Sequence, residues 1–473
     1  MEKNITGKKF ASNVVISIAV QIVSLMVNFI LQLIVPKFID EYQYAYWQTY
    51  VLYVGYVGVL HFGLLDGLVL RYSQYDYNEL DKERIRSQFK ALLGFNGFLT
   101  LLVSMISLVF CKDVTKIVVV LVAIGITAKN VFTYSSYSFQ ITNRINKYAV
   151  LVIVQRLIYG LMVVVLLLAG VDDFYWYCIA DLLGDCVSTV LASFFNKGMY
   201  FGKSIPFKDA LKELKCNVSS GIILMLANWS AILLISSAKM IIQWRWNELT
   251  FGKVSFAFSL TSLFLTFVSA ISVVLFPSLK RLEQDKLPEI YKNIRNILSP
   301  ILLFAMLLYF PGCWILKLWL PKYANSLTYL GILLPMIIYS SKVNLLTNNY
   351  LKAYRKERAM LFINLFSTGL GVIAFLLCAY AFNSLTALLV CIVFTVMLSS
   401  ILSEIVVLKV IKVRIVKEFI VEAFAMVGFI VVARVLPLWV AFLAYLGIFT
   451  VYCIIEYRSI LDIFQKLKRR KKE

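Results

Sequence analysis

Long apolar runs separated by short polar stretches recur along the chain from residue 12 to residue 456. A run of about 18 or more such residues, rising 1.5 Å per residue as a helix, crosses roughly 30 Å of hydrocarbon. Fourteen runs fit, at approximately 12–36, 46–69, 90–111, 115–138, 149–169, 173–195, 217–238, 254–276, 296–316, 327–350, 360–381, 385–408, 419–434 and 438–456. Each predicts a membrane-spanning helix, because backbone groups in hydrocarbon have no water to bond and a helix satisfies them internally. The pattern therefore predicts an all-α integral membrane protein. A mean hydropathy of +0.82 excludes a soluble domain of this length.

Charge gives the topology. The net charge of +21 would suit nucleic acid if the 47 Lys and Arg were clustered without regard to the spans. They are not: 35 fall on the side of the N-terminus and the even-to-odd connections, and nine on the other. Three more, Lys129, Arg156 and Lys342, lie inside predicted helices. Basic residues concentrate on the cytoplasmic side of membrane proteins, so both termini are expected there and nucleic acid is not an expected partner. The tail from Lys466 to Lys472 would meet anionic lipid of the inner leaflet. Met1–Lys9 is polar and no small-residue cleavage site follows the first run, so the first helix is expected to be retained. The eight Cys lack metal-ligand spacing and read as small hydrophobes, and no cofactor motif is found.

Short connections narrow the function. The longest outward one runs from about Met240 to Lys253, and the inward ones reach about 20 residues at Arg71–Phe89 and Lys197–Cys216. No nucleotide-binding cassette fits, and no phosphate-cradling G-x-x-x-x-G-K-[ST] motif occurs. An enzyme joining sugars outside would need acidic residues in substantial loops, for which Asp172 and Asp173 in a tight turn are a poor substitute. A transporter is the better class.

Helices 1–6 and 7–12 look like two copies of one six-helix unit in parallel orientation. In the fourth helix of each, Lys129 is followed by Arg144 and Lys147, and Lys342 by Arg355 and Arg358; Asn28 and Asn228 also correspond. The expected organisation is an N-terminal lobe at 1–195, a linker at 196–216, a second lobe at 217–408, and two added helices with a basic tail at 409–473. In the linker, Lys208, Lys212 and Lys215 mark the polar side of a short helix over Phe201–Cys216, expected to lie on the inner surface.

Ionisable groups at membrane depth are costly unless they face protein or a wet cavity, or snorkel. Lys129, Lys342 and His61 each sit roughly 21–23 Å from the outer edge at 1.5 Å per residue. Two readings stand: the lysines snorkel to the inner headgroups, or Lys129, Lys342, His61 and Arg71 line a cavity for an anion. Arg156 and Asp185 lie at similar depth in successive helices and are expected to pair. Asp181, one turn from Asp185, then leaves two carboxylates for one guanidinium and is a candidate for ion coupling. Glu404 is placed at the inner interface beside Lys409. Gly63 and Gly67 form a small-x-x-x-small face for close helix packing, Pro335 is expected to kink helix 10, and Trp244, Trp246, Trp314, Trp319 and Tyr323 read as interfacial belt residues.

Three stretches carry a family likeness: GLLDGLVLRYS at Gly63–Ser73, FAFSLTSLFLTFVSAISVVLFPSLKRL at Phe256–Leu282, and NNYLKAYRKERAMLFIN at Asn348–Asn364. From Phe10 to the end of helix 14 the chain resembles the polysaccharide transport family, the Wzx-type O-antigen and capsule flippases of the multidrug/oligosaccharidyl-lipid/polysaccharide exporter superfamily (MATE/MOP). The resemblance implies a two-lobed flippase of the bacterial cytoplasmic membrane. Its cargo would be an undecaprenyl-pyrophosphate-linked oligosaccharide, carried to the outer leaflet for O-antigen, capsule or exopolysaccharide synthesis. Membrane lipids, a polysaccharide polymerase and chain-length proteins are the implied partners. Cavity cations would hold the pyrophosphate, a role that Lys129, Lys342, His61 and Arg71 match in type. Helix 1 departs from the drug-exporting relatives in having no carboxylate from Ala11 to Pro36. The main rival is a proton- or sodium-coupled exporter of small organic cations, whose sign would be a dominant cavity carboxylate; Asp181 is the residue that supports it. A membrane glycosyltransferase and a structural assembly component are the other classes considered.

Overall fold

Helices make up nearly all of the described chain, and their lengths follow the apolar runs. The structure, a computed structural model, describes residues 7–280, 287–413 and 416–457. The basic tail expected to meet lipid lies outside the described residues. The chain divides into two compact units, Met1–Ile232 and Leu233–Glu473.

In unit 1 the helices are α1 (Gly7–Phe29), α2 (Glu41–Val54), α3 (Leu64–Tyr72), α4 (Lys82–Phe110), α5 (Asp113–Ile141), α6 (Ile145–Leu168) and α7 (Phe174–Phe195). The long helix α8 (Phe207–Arg245) begins in unit 1 and ends in unit 2. Starts are fixed by side chains: Asp40 accepts from the Tyr42 N–H at the head of α2, and Asp81 from the Arg84 N–H at the head of α4. α5 packs on α4, α7 and α2, while α6 packs on α7 and α1. Near the end of α5, Phe89, Tyr134 and Tyr200 stack with ring centroids 4.8 to 5.6 Å apart.

The second predicted span is a bent pair. α2 gives way to a 3-10 turn at Val57–His61, Phe62 and Gly63 adopt left-handed backbone, and α3 leaves at 53°. Gly63, at φ +79°, suits this turn because it carries no Cβ to clash. The expected surface helix over Phe201–Cys216 is not separate: from Phe207 it is the first part of α8, whose Gln88, Arg71 and Tyr72 partners belong to α4 and α3. The division between units accordingly falls at Ile232, near the 58° bend in α8, rather than within 196–216.

Unit 2 contains α9 (Glu248–Lys280), α10 (Leu287–Leu307), α11 (Tyr309–Trp319), α12 (Ser326–Leu333), α13 (Met336–Ser341), α14 (Asn348–Ala353), α15 (Glu357–Leu376), α16 (Leu385–Ile411), α17 (Val416–Val435) and α18 (Leu438–Ile455). Pro335 stands between α12 and α13, where the span bends by 48° as expected from its missing N–H. A π-helical turn, Lys342–Thr347, then joins α13 to α14. α12 packs on α9, α16 and α17, and α10 on α18. Of the residues read as a belt, Trp244, Trp314 and Trp319 are exposed, but Tyr323 is buried with its ring centroid 4.7 Å from that of Phe256.

Among the described residues, ten helices are long and apolar enough to cross a membrane, and the three bent pairs raise the number to 13. The one expected span not among them is the thirteenth, α17, in which every window of about 18 residues holds at least three of Lys417, Glu418, Glu422 and Arg434. The architecture is an all-α, multi-span membrane fold.

Candidate functional site

Two buried charge clusters have formed, one in each unit. In unit 1, Lys129 of α5 extends its Nζ to 2.7 Å from Asp181 Oδ2 and 2.7 Å from Asp185 Oδ2. The two carboxylates stand four residues apart on one face of α7. Tyr50 of α2 donates its hydroxyl to Asp181 at 3.1 Å, and Gln155 of α6 donates to Asp185 Oδ1 at 3.2 Å. The Asp185 side chain is 2% exposed, that of Asp181 13% and that of Lys129 23%, so the cluster is open on the side of Lys129 and Asp181. Gly184 lets α7 approach α6 closely: a Cβ there would lie 2.8 Å from the Gln155 carbonyl oxygen.

The expected Arg156–Asp185 pair is absent among the described ion pairs. Gln155 and Arg156 are neighbours on a helix, about 100° apart around its axis. Gln155 takes the direction toward Asp185, and the buried Arg156 Nε has no hydrogen-bond partner. Asp185 is instead held by Lys129, so this lysine neither snorkels nor stands as a free cation.

The unit 2 cluster is larger and neutral by formal charge. Lys342, at the start of the π-helical turn, places Nζ 2.5 Å from Glu422 Oε2 and 3.4 Å from Glu404 Oε2. Arg295 of α10 reaches Glu404 at 2.6 Å and Glu422 at 3.3 Å. Tyr291 donates to Glu404 at 3.0 Å, and Ser299 donates to Glu422. All four charged side chains are at most 3% exposed. Pairing and hydrogen bonding on this scale offset part of the cost of taking such charges out of water. Glu404 is therefore buried rather than interfacial. Sequence reasoning placed Arg295 in a connection because it set the ninth helix to begin at 296, whereas α10 begins at Leu287. It passed over Glu422, although a carboxylate inside the thirteenth apolar run was the signal available.

His61 and Arg71 belong to neither cluster. His61 Nδ1 accepts the Gly63 N–H at 3.2 Å, and its Nε2 lies 3.8 Å from Asp66 Oδ2, so it stabilises the turn into α3. Arg71 lies 2.6 Å from Glu213 and donates to Asn217 at 2.5 Å, while Tyr72 donates to Glu213 at 2.5 Å. These contacts fasten α3 to α8. All four residues expected to hold an anionic headgroup thus have acidic neighbours, and Lys129 and Lys342 reside in different units. Lys239, one residue beyond the predicted span 217–238, is in α8, half-buried, with Nζ 5.5 Å from the Phe258 ring centroid. Among the described residues, no three His, Cys, Asp or Glu converge as metal ligands.

No family model and no curated protein matches the chain. Solved structures do. The lipid II flippase MurJ, in an inward closed conformation, superposes with a TM-score of 0.66 at 12% identity, covering 95% of this chain and 100% of MurJ. An inward-facing multidrug resistance MATE family transporter of the MOP superfamily gives 0.64 at 12% identity, with 84% of this chain and 98% of that one covered. The chain shares the fold of these two transporters. An outward-facing MATE family transporter matches at 0.54, again at 12% identity, covering 85% and 95%.

Proposed function

We propose that the chain is an ion-coupled membrane transporter working through the MOP fold, with Lys129, Asp181 and Asp185 as its coupling site. The observation that carries this is that two carboxylates share one ammonium at ion-pair distance, so the ionised trio by itself has a formal charge of −1, with Arg156 a further cation in its field but outside ion-pair distance. One proton on either Asp brings the trio to zero, which suits a group that loads in one state and releases in the other. The neutral unit 2 cluster has no such excess and acts as a structural clamp.

For the cargo, export of small organic cations has the heavier support. The MATE likenesses are multidrug transporters by description, and the lysines expected to grip an anion are already matched by carboxylates. The second reading is a flippase for undecaprenyl-pyrophosphate-linked oligosaccharide in a bacterial cytoplasmic membrane. It is favoured by the share of the chain that MurJ matches, 95% against 84% for the inward-facing MATE transporter.

Proteoliposomes carrying an imposed pH gradient test both. The parent protein, Asp181→Asn and Asp185→Asn are compared, at equal folded amounts, for uptake of a fluorescent organic cation and for delivery of a labelled lipid-linked oligosaccharide. Transport by the parent should be driven by the gradient, and at least one Asn variant should lose that dependence with a fall of about tenfold or more in rate, the scale of one pKa-matched proton step. Gradient-driven transport equal in all three proteins would overturn the coupling site. Movement of the oligosaccharide but not the cation would select the flippase.

A further inference from the structure

Away from both clusters, unit 2 contains a cavity of about 320 Å³ between three helix ends. Its walls come from the first turn of α12 with Thr328 and Tyr329, the head of α16 with Thr386, and the last turns of α17 with Ile430, Ala433 and Arg434. All three ends face the same bilayer edge, opposite the basic connection at Lys352–Arg358. The Arg434 Nη2 is 3.5 Å from Thr386 Oγ1, and no carboxylate among the described residues is within ion-pair distance of this guanidinium. Thr328 gives its hydroxyl proton to the Asn325 carbonyl at 2.6 Å, which leaves Thr386, Tyr329 and Arg434 as the donors available to a guest. No acidic side chain lines the cavity, so its chemistry is that of an anion site.

Its position indicates which anion. Helix ends of membrane spans lie at headgroup level, where a guanidinium meets phosphate with a geometry matched to two oxygens at once. On the neighbouring face of α17, about 100° around its axis from Ile430, Ala433 and Arg434, Val427, Val431 and Val435 are 60%, 52% and 70% exposed at four-residue intervals. They form an apolar track about 12 Å long on one face of the helix, suited to a hydrocarbon chain. A free anion in water has no use for such a track. We infer that this cavity binds the phosphate of an anionic membrane lipid, with Arg434 as its charged ligand, Thr386 and Tyr329 as hydroxyl donors, and the valine track along an acyl chain.

Native mass spectrometry of the full chain in detergent, titrated with phosphatidylglycerol, tests the assignment. Arg434→Gln, Arg434→Lys and Lys322→Gln are compared with the parent, each checked for unchanged thermal unfolding. Lys322 sits at the same edge outside the cavity. Arg434→Gln should weaken lipid retention about tenfold, the worth of one charge-assisted contact, with Arg434→Lys recovering part and Lys322→Gln none of the loss. Equal retention by Arg434→Gln and the parent overturns the site. So does equal loss in Lys322→Gln, which would mark general surface charge. Displacement of the lipid by inorganic phosphate at equal concentration and fixed ionic strength would assign the cavity to free phosphate and overturn the lipid reading.

Discussion

Glu422→Leu should markedly lower the thermal stability of the protein. The substitution removes the carboxylate 2.5 Å from Lys342 and 3.3 Å from Arg295, and leaves Glu404 alone to face two buried cations. Breaking a buried ion pair by deleting one partner costs about 3–5 kcal/mol, because the other charge stays desolvated. The double variant Glu422→Leu with Lys342→Met restores the balance, leaving one guanidinium with one carboxylate at 2.6 Å. It should therefore be markedly more stable than Glu422→Leu alone, a non-additivity expected of residues in one network. Unfolding of the purified variants in detergent, followed by tryptophan fluorescence, reads both effects. A double variant as unstable as the sum of its singles would mean that the cluster does not act as a unit. Because Glu422 belongs to α17 and Arg295 to α10, the same experiment reports whether the thirteenth helix is an integral part of unit 2 rather than an addition to it.

That cluster also marks where the sequence stops being readable. Helix number and position were largely legible, since a bilayer demands about 20 apolar residues per crossing whatever the fold. Lys129, Asp181 and Asp185 each stood out as ionisable groups inside apolar runs, but the sequence assigned Lys129 to an anion and the two Asp to Arg156, so the meeting of these three was not legible. Which faces turn inward was not legible either. The exchange of Gln155 for Arg156 as the partner of Asp185 is a rotation of about 100°, and an almost wholly apolar helix such as α6 has too little polarity to fix its own rotation. Arg295 and Glu422 were hidden in another way. Each lay near the end of a span, and a boundary error of a few residues decides whether a charge counts as solvated or buried. The bends belong to a third kind. Pro335 announced its own, but the break between α2 and α3 depends on left-handed backbone at Phe62 as well as Gly63, and Phe62 carries no such signal.

Gly67→Leu should unfold unit 1 locally at the α3–α8 contact. Sequence spacing already paired Gly63 with Gly67 as a close-packing face, and the partner is Gly221 of α8. The backbones there approach so closely that a Cβ on Gly67 would lie 1.9 Å from the Asn217 carbonyl oxygen, and one on Gly221 would lie 2.1 Å from that of Gly63. Neither neighbour is a side chain able to rotate away, so the helices must separate. Separation also pulls Asn217 and Glu213 from Arg71 and Tyr72, which now make contacts of 2.5 to 2.6 Å. Overpacking alone costs about 1–3 kcal/mol, and each lost hydrogen bond to a charged group adds about 1.5–3 kcal/mol. Even Gly67→Ala should destabilise clearly. Gly94 and Gly97 of α4 provide the control, because a Cβ at either meets nothing within 4 Å. Alanine at those positions should be neutral or stabilising by up to about 1 kcal/mol, from helix propensity. Thermal unfolding of the four variants separates the two outcomes, and disulfide trapping of Cys pairs placed across α3 and α8 should fall for Gly67→Leu. If Gly67→Leu melts with the parent and traps equally well, the two helices are not in backbone contact and the small-residue face serves another purpose.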